Sequence, residues 1–289
     1  MKIKLLIPIY NDWQSVFKLL ENIDTVVKDL NDEISAIIVN DASAEERPEF
    51  HFSLNNLKSI NVINMKENRG HTRCIAAGLK YINDKEDYDY VIPMDGDGED
   101  RPEEVKLLIE EAKNYPDRVI TANRVKRSEG LVFKIGYQIH KYLTYIFTGQ
   151  NIKFGNFTCL TKSIVNKMIK DATTWSSFSG SLANLAKDRK SISSIRGVRY
   201  FGPSKMSYIN LLKHSLSIIS VFRKTVLVRS IIFLVVYLFL ILQHLSVVTL
   251  IPVALVFIMM ISIFNLSGRE NINELNNALE NIASYDNIK

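Results

Sequence analysis

Between Ser230 and Asn265 the chain runs for 36 residues without an Asp, Glu, Lys or Arg. As one helix this run would extend about 54 Å at 1.5 Å per residue. A bilayer hydrocarbon core is only about 30 Å thick, so two spans at the short end of the usual range fit better. The turn between them falls near Gln243-His244-Leu245-Ser246. The first span can begin near Thr225 with Arg229 snorkelling, and Pro252, early in the second, is tolerated there. The alternative is a buried hairpin of a globular core. Arg196, Arg199, Lys205, Lys213, Arg223, Lys224 and Arg229 precede the run and Arg269 follows it, while the turn has no Lys or Arg. This asymmetry predicts that both termini lie in the cytosol. The absence of intramembrane charge argues against a transporter or channel. Beyond Gly268, the spacing of Ile272, Leu275, Leu279 and Ile282 predicts a short amphipathic helix, for self-association or for the membrane surface.

The rest of the chain alternates. Lys2–Ile9, Ile34–Val39, Ile60–Met65, Tyr90–Met94 and Val119–Ala122 are short apolar runs, rich in β-branched residues, and read as strands. Helical periodicity covers residues 12–30, with Val16, Leu19, Leu20, Ile23, Val26, Val27 and Leu30 on one face. Residues 70–83 follow suit with Ile75, Leu79 and Ile82, and Pro102 opens a helix that runs to about Tyr115. Strands alternating with helices of this length predict an α/β fold with a mostly parallel sheet. Ligands of such sheets bind beyond the carboxyl ends of the strands. Those ends carry Tyr10-Asn11-Asp12, Asn40-Asp41 and Asp95-Gly96-Asp97, three polar clusters expected at one edge. Met1–Pro8 has too short an apolar run for a signal peptide and is expected to be the first strand. Cys74 and Cys159 lie far apart without metal-type spacing and fit a reducing compartment. The net charge of +5 is too mild to imply nucleic acid, and a basic membrane-facing side explains it.

After Arg127 the pattern changes. Leu131, Ile135, Ile139, Tyr142, Leu143, Ile146 and Phe147 recur at helical spacing, with Lys134, Gln138 and Lys141 between them. Ile209, Leu212, Leu216, Ile219 and Phe222 repeat the theme, with Lys205, Lys213, Arg223 and Lys224 around them. Core helices would explain both. So would helices lying in the membrane interface, apolar side down, and their place just before the apolar run favours that reading.

Asp95-Gly96-Asp97-Gly98-Glu99 ends a buried strand. Carboxylates two apart with glycine between them can turn together toward one hard cation, and Mg²⁺ or Mn²⁺ would bridge such oxygens to phosphates. An EF-hand reading fails, because neither the flanking helix nor the twelfth-position Glu is there.

Ile7-Pro8-Ile9-Tyr10-Asn11-Asp12, Val39-Asn40-Asp41-Ala42-Ser43, Asn68-Arg69-Gly70 and Met94-Asp95-Gly96-Asp97-Gly98-Glu99-Asp100-Arg101-Pro102-Glu103 occur in order. Together they resemble the family two glycosyltransferases with a GT-A fold. Arg199-Tyr200-Phe201-Gly202-Pro203-Ser204-Lys205 resembles the Arg-x-x-Gly-x-Ser-Lys signature of the dolichyl- and undecaprenyl-phosphate sugar transferases, a branch that includes bacterial enzymes with two C-terminal membrane helices. The resemblance covers about residues 1–265.

The resemblance implies the following roles. Pro8, Tyr10 and Asp12 line the nucleotide pocket, Asp41 accepts an N–H of uracil or guanine, and Arg73 flanks the base. Asp95 sits near the ribose and metal, Asp97 binds the metal, and Glu99 supports it. Arg124 and Arg127 are phosphate-binding arginines, and Arg199 and Lys205 hold the diphosphate or the lipid phosphate. Some positions depart from the pattern. Asn40 stands where the family has Asp, Ala42 where it has Gly, and Asn156 where many relatives have Asp. Trp175–Leu182 also lacks the carboxylates that soluble members use as a base. A sugar hydroxyl needs such a base near neutral pH; a lipid phosphate is already an anion and needs none.

The expected enzyme is therefore an inverting, metal-dependent hexosyltransferase. It would move a sugar from a UDP- or GDP-sugar to a polyprenyl phosphate for envelope polysaccharide or lipopolysaccharide synthesis. A bacterial inner membrane is the expected location. Two alternatives stand beside it: a glycolipid or glycan hydroxyl as acceptor, and a non-catalytic membrane accessory protein with a degenerate domain. The expected divisions are a nucleotide-sugar core (1–128), an acceptor-side part with interface helices (129–224), a transmembrane hairpin (225–266) and a cytoplasmic amphipathic tail (267–289). The hairpin also offers a surface through which copies could form a homo-oligomer.

Overall fold

The structure, a computed structural model, describes residues 1–49, 53–126, 141–202 and 208–289, with backbone alone at 126 and 208–210. The expectations for Arg127, Leu131, Lys134, Ile135, Gln138, Ile139 and Lys205, and for the side chain of Ile209, lie outside these described parts.

Strands β1 (Lys2–Ile9), β2 (Glu33–Asn40), β3 (Ile60–Met65), β4 (Tyr90–Pro93) and β5 (Val119–Lys126) form where the β-branched runs predict them. Three more complete an eight-stranded sheet: β6 (Phe154–Thr161), β7 (Arg189–Ile195) and β8 (Ile282–Asn287). The order is β7-β5-β6-β4-β1-β2-β3-β8. The pairs β1–β2, β1–β4, β2–β3 and β5–β7 are parallel, whereas β6 runs antiparallel to β4 and β5, and β8 to β3. The expected α/β architecture with a mostly parallel sheet is the one that forms.

Helices cover both faces of the sheet, and the period of two along each strand divides the core. Ile3, Leu5 and Ile7 of β1 face α1 (Trp13–Val26) and α3 (Pro102–Asn114), where Val16, Leu19, Leu20, Ile23, Val105 and Leu108 are buried with them. Leu6 points the other way, into a cluster with Ile75, Leu79 and Ile82 of α2 (His71–Lys85). Gly78 lets α2 approach closely, since a Cβ there would lie 2.4 Å from Leu6 Cδ1. That cluster continues through α5 (Lys162–Met168), α6 (Thr173–Ser176) and α7 (Phe178–Leu185), with Val165, Trp175 and Leu182 buried.

Residues 141–148 form helix α4. Its Tyr142, Tyr145 and Ile146 are exposed, whereas Thr144 and Thr148 are buried with Phe147. The helix thus divides its apolar residues between an outward side and the buried Phe147. Helix α8 (Tyr208–Ser220) buries Ile218 and Ile219 and exposes Leu212. It packs on α7 and on α10.

Helices α9 (Arg223–Ile241) and α10 (Val247–Ser267) form a hairpin. Ser246 caps α10: its Oγ accepts the N–H of Thr249 at 3.2 Å, and Thr249 Oγ1 accepts the N–H of Ser246 at 2.9 Å. Both helices are long and apolar enough to cross a membrane, and most of their apolar side chains, among them Phe239, Leu240, Val247 and Ile258, are exposed. An exposed apolar surface of this kind marks a membrane or protein contact. Val226, Ile263 and Ser230 are the buried root that joins the hairpin to the domain.

The tail departs from the expected single amphipathic helix. A short helix α11 (Ile272–Asn276) is followed by a turn and then by β8, whose first residue is Ile282. Leu275 and Ala278 are buried, and α11 packs on α2 and α6. Tyr285 stacks on Tyr81 with ring centroids 5.8 Å apart. The heptad-like spacing thus reflects burial on this domain over the first turns and sheet pairing afterwards.

Candidate active site

The carboxyl ends of β1, β2, β3 and β4 meet at one edge. At the end of β1 the chain turns at Asn11, whose φ is +50°. Asn11 Oδ1 accepts the N–H groups of Ala44 (2.8 Å) and Glu45 (3.2 Å), and its own N–H donates to Ser43 Oγ at 2.8 Å. At the end of β2, Asp41 is buried and accepts the N–H groups of Arg69 and Gly70, each at 2.9 Å. Burial raises its pKa above the ordinary carboxylate value. Ala42 has φ +54°, which explains why glycine is the usual residue there. A left-handed residue with a Cβ costs about 1–2 kcal/mol.

The acidic turn after β4 is met by basic side chains. Asp95 Oδ1 lies 3.3 Å from His71 Nε2 and 3.5 Å from Asn156 Nδ2. Asp97 Oδ2 accepts Arg199 Nη1 at 2.5 Å, while Arg199 Nη2 donates to Asp12 Oδ2 at 2.8 Å. Arg199 Nε is buried without a partner among the described residues. Glu99 pairs with Arg196. Asp100 accepts the N–H of Asp95 at 2.9 Å and lies 3.5 Å from Arg124 Nη2. The segment carrying Arg196 and Arg199 is stitched to the turn by Gly197 N–H to Glu99 O (2.8 Å) and Tyr200 N–H to Asp97 O (2.9 Å). Gly98 (φ +88°) permits this, since a Cβ there would lie 2.5 Å from the Tyr200 ring, whose hydroxyl accepts Asn22 Nδ2 at 2.8 Å.

Charge crowding separates the carboxyls. Burial opposes ionisation of Asp95, but the hydrogen bond and charge of His71, followed by the charge of Arg124, hold it well below its ordinary value. Burial, and then the Asp95 charge, push Asp97 up to about 6, against the pull of Arg199. Burial and the same Asp95 charge push Asp100 up to about 7. The fold therefore favours protonated Asp100. That stability is complete below the unfolded value of 3.8 and is lost as pH rises through about 7. Asp100→Asn removes this titration. The stability of the wild type relative to Asp100→Asn is expected to fall between about pH 4 and 7 and to level off above about 8. Thermal midpoints across that range check it, and a pH-independent difference would contradict it.

Among the described residues, no group of three or more His, Cys, Asp or Glu side chains is placed to hold a metal by itself. Arg199 and Arg196 engage Asp97 and Glu99. The donor chemistry still fits Mg²⁺ or Mn²⁺: Asp95 and Asp97 are hard oxygen ligands flanking one glycine, and such ions take part of their shell from substrate phosphates.

The edge thus brings together Asp12, Asp95, Asp97, Glu99, Arg124 and Arg199. Pro8 is buried in β1, and Tyr10 is 46% exposed beside Asn11. Arg73 has other company: its guanidinium lies 5.4 Å from the centre of the Trp175 ring and 3.7 Å from Glu274 Oε2. Sequence reading gave no site role to His71, Arg196 or Asp100. His71 follows Asn68-Arg69-Gly70 and opens α2. Arg196 stands three residues before Arg199, and Asp100 ends the acidic run. Proximity to recognised motifs was the available signal for all three.

The chain matches the family described as Glycosyl transferase family 2 over residues 5–171. The undecaprenyl-phosphate 4-deoxy-4-formamido-L-arabinose transferase of Photorhabdus laumondii is 29% identical over 226 residues, covering 73% of this chain and 65% of that relative. The enzyme of that name from Klebsiella pneumoniae is 26% identical over 218 residues, covering 73% and 64%. The chain therefore spans a little under two thirds of the length of these relatives. Glucosyl-3-phosphoglycerate synthase from Mycobacterium tuberculosis, solved with Mn²⁺, UDP-glucose and phosphoglyceric acid, has a TM-score of 0.54 at 11% identity, over 78% of this chain and 79% of its own. Mannosyl-3-phosphoglycerate synthase from Rubrobacter xylanophilus gives 0.53 at 10%, over 78% and 73%. Both likenesses concern the fold, which is of the GT-A type. With a family match across more than half its length and the acidic turn at the expected sheet edge, the chain belongs to glycosyltransferase family 2.

Proposed function

We propose that the protein transfers one sugar from a UDP- or GDP-sugar to a polyprenyl phosphate at a bacterial inner membrane, with inversion at the anomeric carbon. The observation that carries this reading is Arg199. It sits against Asp97 and Asp12 at the donor edge, on the segment that leads into α8 and the apolar hairpin. Relatives named for undecaprenyl-phosphate sugar transfer support the acceptor.

An acceptor phosphate oxygen attacks the anomeric carbon in line as the bond from that carbon to the nucleoside diphosphate breaks. A bound Mg²⁺ or Mn²⁺ would be held by Asp95 and Asp97, with Glu99 in support, and would offset charge on the departing diphosphate. Arg124 and Arg199 supply forked donors for phosphate oxygens, joined in the proposal by Arg127 and Lys205. Asp12, Asp41 and Tyr10 form the nucleoside side. The contacts of Arg73 favour a bracing role at Trp175 over direct contact with the base.

The carboxylate that reaches Trp175 is Glu274, which accepts its Nε1–H at 2.6 Å. That hydrogen bond lowers the Glu274 pKa, which makes it a weak base. An acceptor that is already anionic fits such a site. The return of β8 to the sheet edge beyond β3 supports both termini on one side of the membrane, and the basic residues before α9 support the cytosolic side.

Nucleotide release from a panel of UDP- and GDP-sugars tests this, using purified protein with Mg²⁺ or Mn²⁺, and undecaprenyl phosphate present or absent. Release from one donor that requires both metal and lipid phosphate is expected. Equal release without the lipid would overturn the acceptor assignment.

A further inference from the structure

A side-chain chain crosses the ligand edge from the C-terminal strand to the first turn. Asp286 of β8 accepts Asn64 Nδ2 at 2.9 Å through Oδ2, the oxygen that also accepts Arg47 Nη1 at 2.9 Å, and Asn64 Nδ2 donates as well to Ser284 Oγ of β8 at 2.9 Å. Asn64 of β3 accepts Asn40 Nδ2 at 2.9 Å through its Oδ1. Asn40 of β2 accepts the Ser43 N–H at 3.1 Å, and Ser43 Oγ accepts the Asn11 N–H at 2.8 Å. The strands β1, β2, β3 and β8 are neighbours in the sheet, so the links run straight across it. They end at the left-handed Asn11, next to the Asp12 that holds Arg199.

The chain gives Asn40 a physical reason. A carboxylate at 40 has no N–H to offer Asn64 Oδ1. Asn64 would have to turn its amide toward it and lose its donations to Asp286 and Ser284. Asn40, Asn64 and Asp286 are therefore matched to one another. Asp286 is the charged end of the chain and lies on the strand that follows the hairpin.

We propose that Asp286 is a positioning residue for the donor site: through Asn64, Asn40 and Ser43 it fixes the Asn11-Asp12 turn, which makes the C-terminal strand a working part of nucleotide binding. This rests on the reading that the edge binds a nucleoside diphosphate sugar. A hydrogen bond in a part-exposed setting such as this alters an equilibrium by roughly two- to tenfold, and the effect spreads along a linked network.

Two measurements on the full-length protein in detergent test it. Amide exchange needs no ligand. Asp286→Leu is expected to speed exchange at Asn11 and Ser43 by roughly three- to tenfold relative to β1 amides such as Leu6. Asp286→Asn keeps an acceptor oxygen for Asn64 and should match the wild type. Donor kinetics supply the second arm. Asp286→Leu is expected to raise donor KM by roughly three- to tenfold with kcat within about twofold. Asn64→Leu should do the same, and the double variant no more than either alone, because both cut one chain. Unchanged exchange at Asn11 and Ser43 in Asp286→Leu would overturn the inference, as would additive KM effects. If the wild type bound no nucleotide, the donor reading would fail, while the exchange arm would still judge the chain.

Discussion

Asp97→Asn is expected to lower lipid-dependent nucleotide release by at least about a hundredfold, the scale seen when one electrostatic stabiliser of a transition state is removed. Asp97 is paired with Arg199 at 2.5 Å and joined through it to Asp12. Asparagine keeps the shape but neither holds a divalent cation well nor balances Arg199. Its carbonyl oxygen can still accept the Glu99 N–H that Asp97 Oδ1 accepts at 2.9 Å. The turn should therefore survive, and the thermal midpoint should move little while activity collapses. Steady-state release and a thermal melt on the same preparation separate the two. Full activity in this variant would refute the metal role.

Arg223→Ala is expected to cost about 2 kcal/mol of stability. This is below the ~3–5 kcal/mol of a fully buried pair, because the Arg223 side chain is 38% exposed. Its partner Glu270 is 7% exposed, and Glu270 Oε1 is buried without a partner among the described residues. Arg223 opens α9 and Glu270 follows α10, so the pair closes the base of the hairpin where the tail departs for the sheet. Loss of the arginine leaves a buried carboxylate with neither oxygen satisfied. Adding Glu270→Gln removes that charge and should recover part of the loss. Thermal midpoints in one detergent measure both. An Arg223→Ala variant as stable as the wild type would contradict the buried-pair account.

The strands β1 to β5 were legible because fully buried strands concentrate β-branched residues. The three later strands were not. β6 reads Phe-Gly-Asn-Phe-Thr-Cys-Leu-Thr, its start diluted by Gly155, which packs near Arg124, and by Asn156, which serves the site. β7 and β8 lie at the two edges of the sheet and are largely polar, so their pattern is that of a loop. For the tail, only Leu275 of the four spaced residues is fully buried, Ile272 is 37% exposed, and Ile282 already opens β8.

Most of the site was readable because its carboxylates and arginines sit in contiguous motifs at strand ends. The contacts of Arg73 were not legible: helical geometry turns it toward Trp175 and Glu274. Those partners are about 100 and 200 residues away in the chain, and no local pattern announces them. The chain from Asp286 to Asn11 is of the same kind. Asn40 looked like a degenerate position in the sequence and becomes a donor to Asn64 once β8 is in place.

The central claim is transfer to a lipid phosphate, and the lipid product tests it most directly. Purified protein would be offered undecaprenyl phosphate and undecaprenol side by side with the donor found active, and the lipid fraction read by mass spectrometry. The account predicts a glycosylated, acid-labile lipid phosphate and no glycosylated undecaprenol. Glycosylation of undecaprenol, or of another lipid hydroxyl in preference to the phosphate, would contradict it.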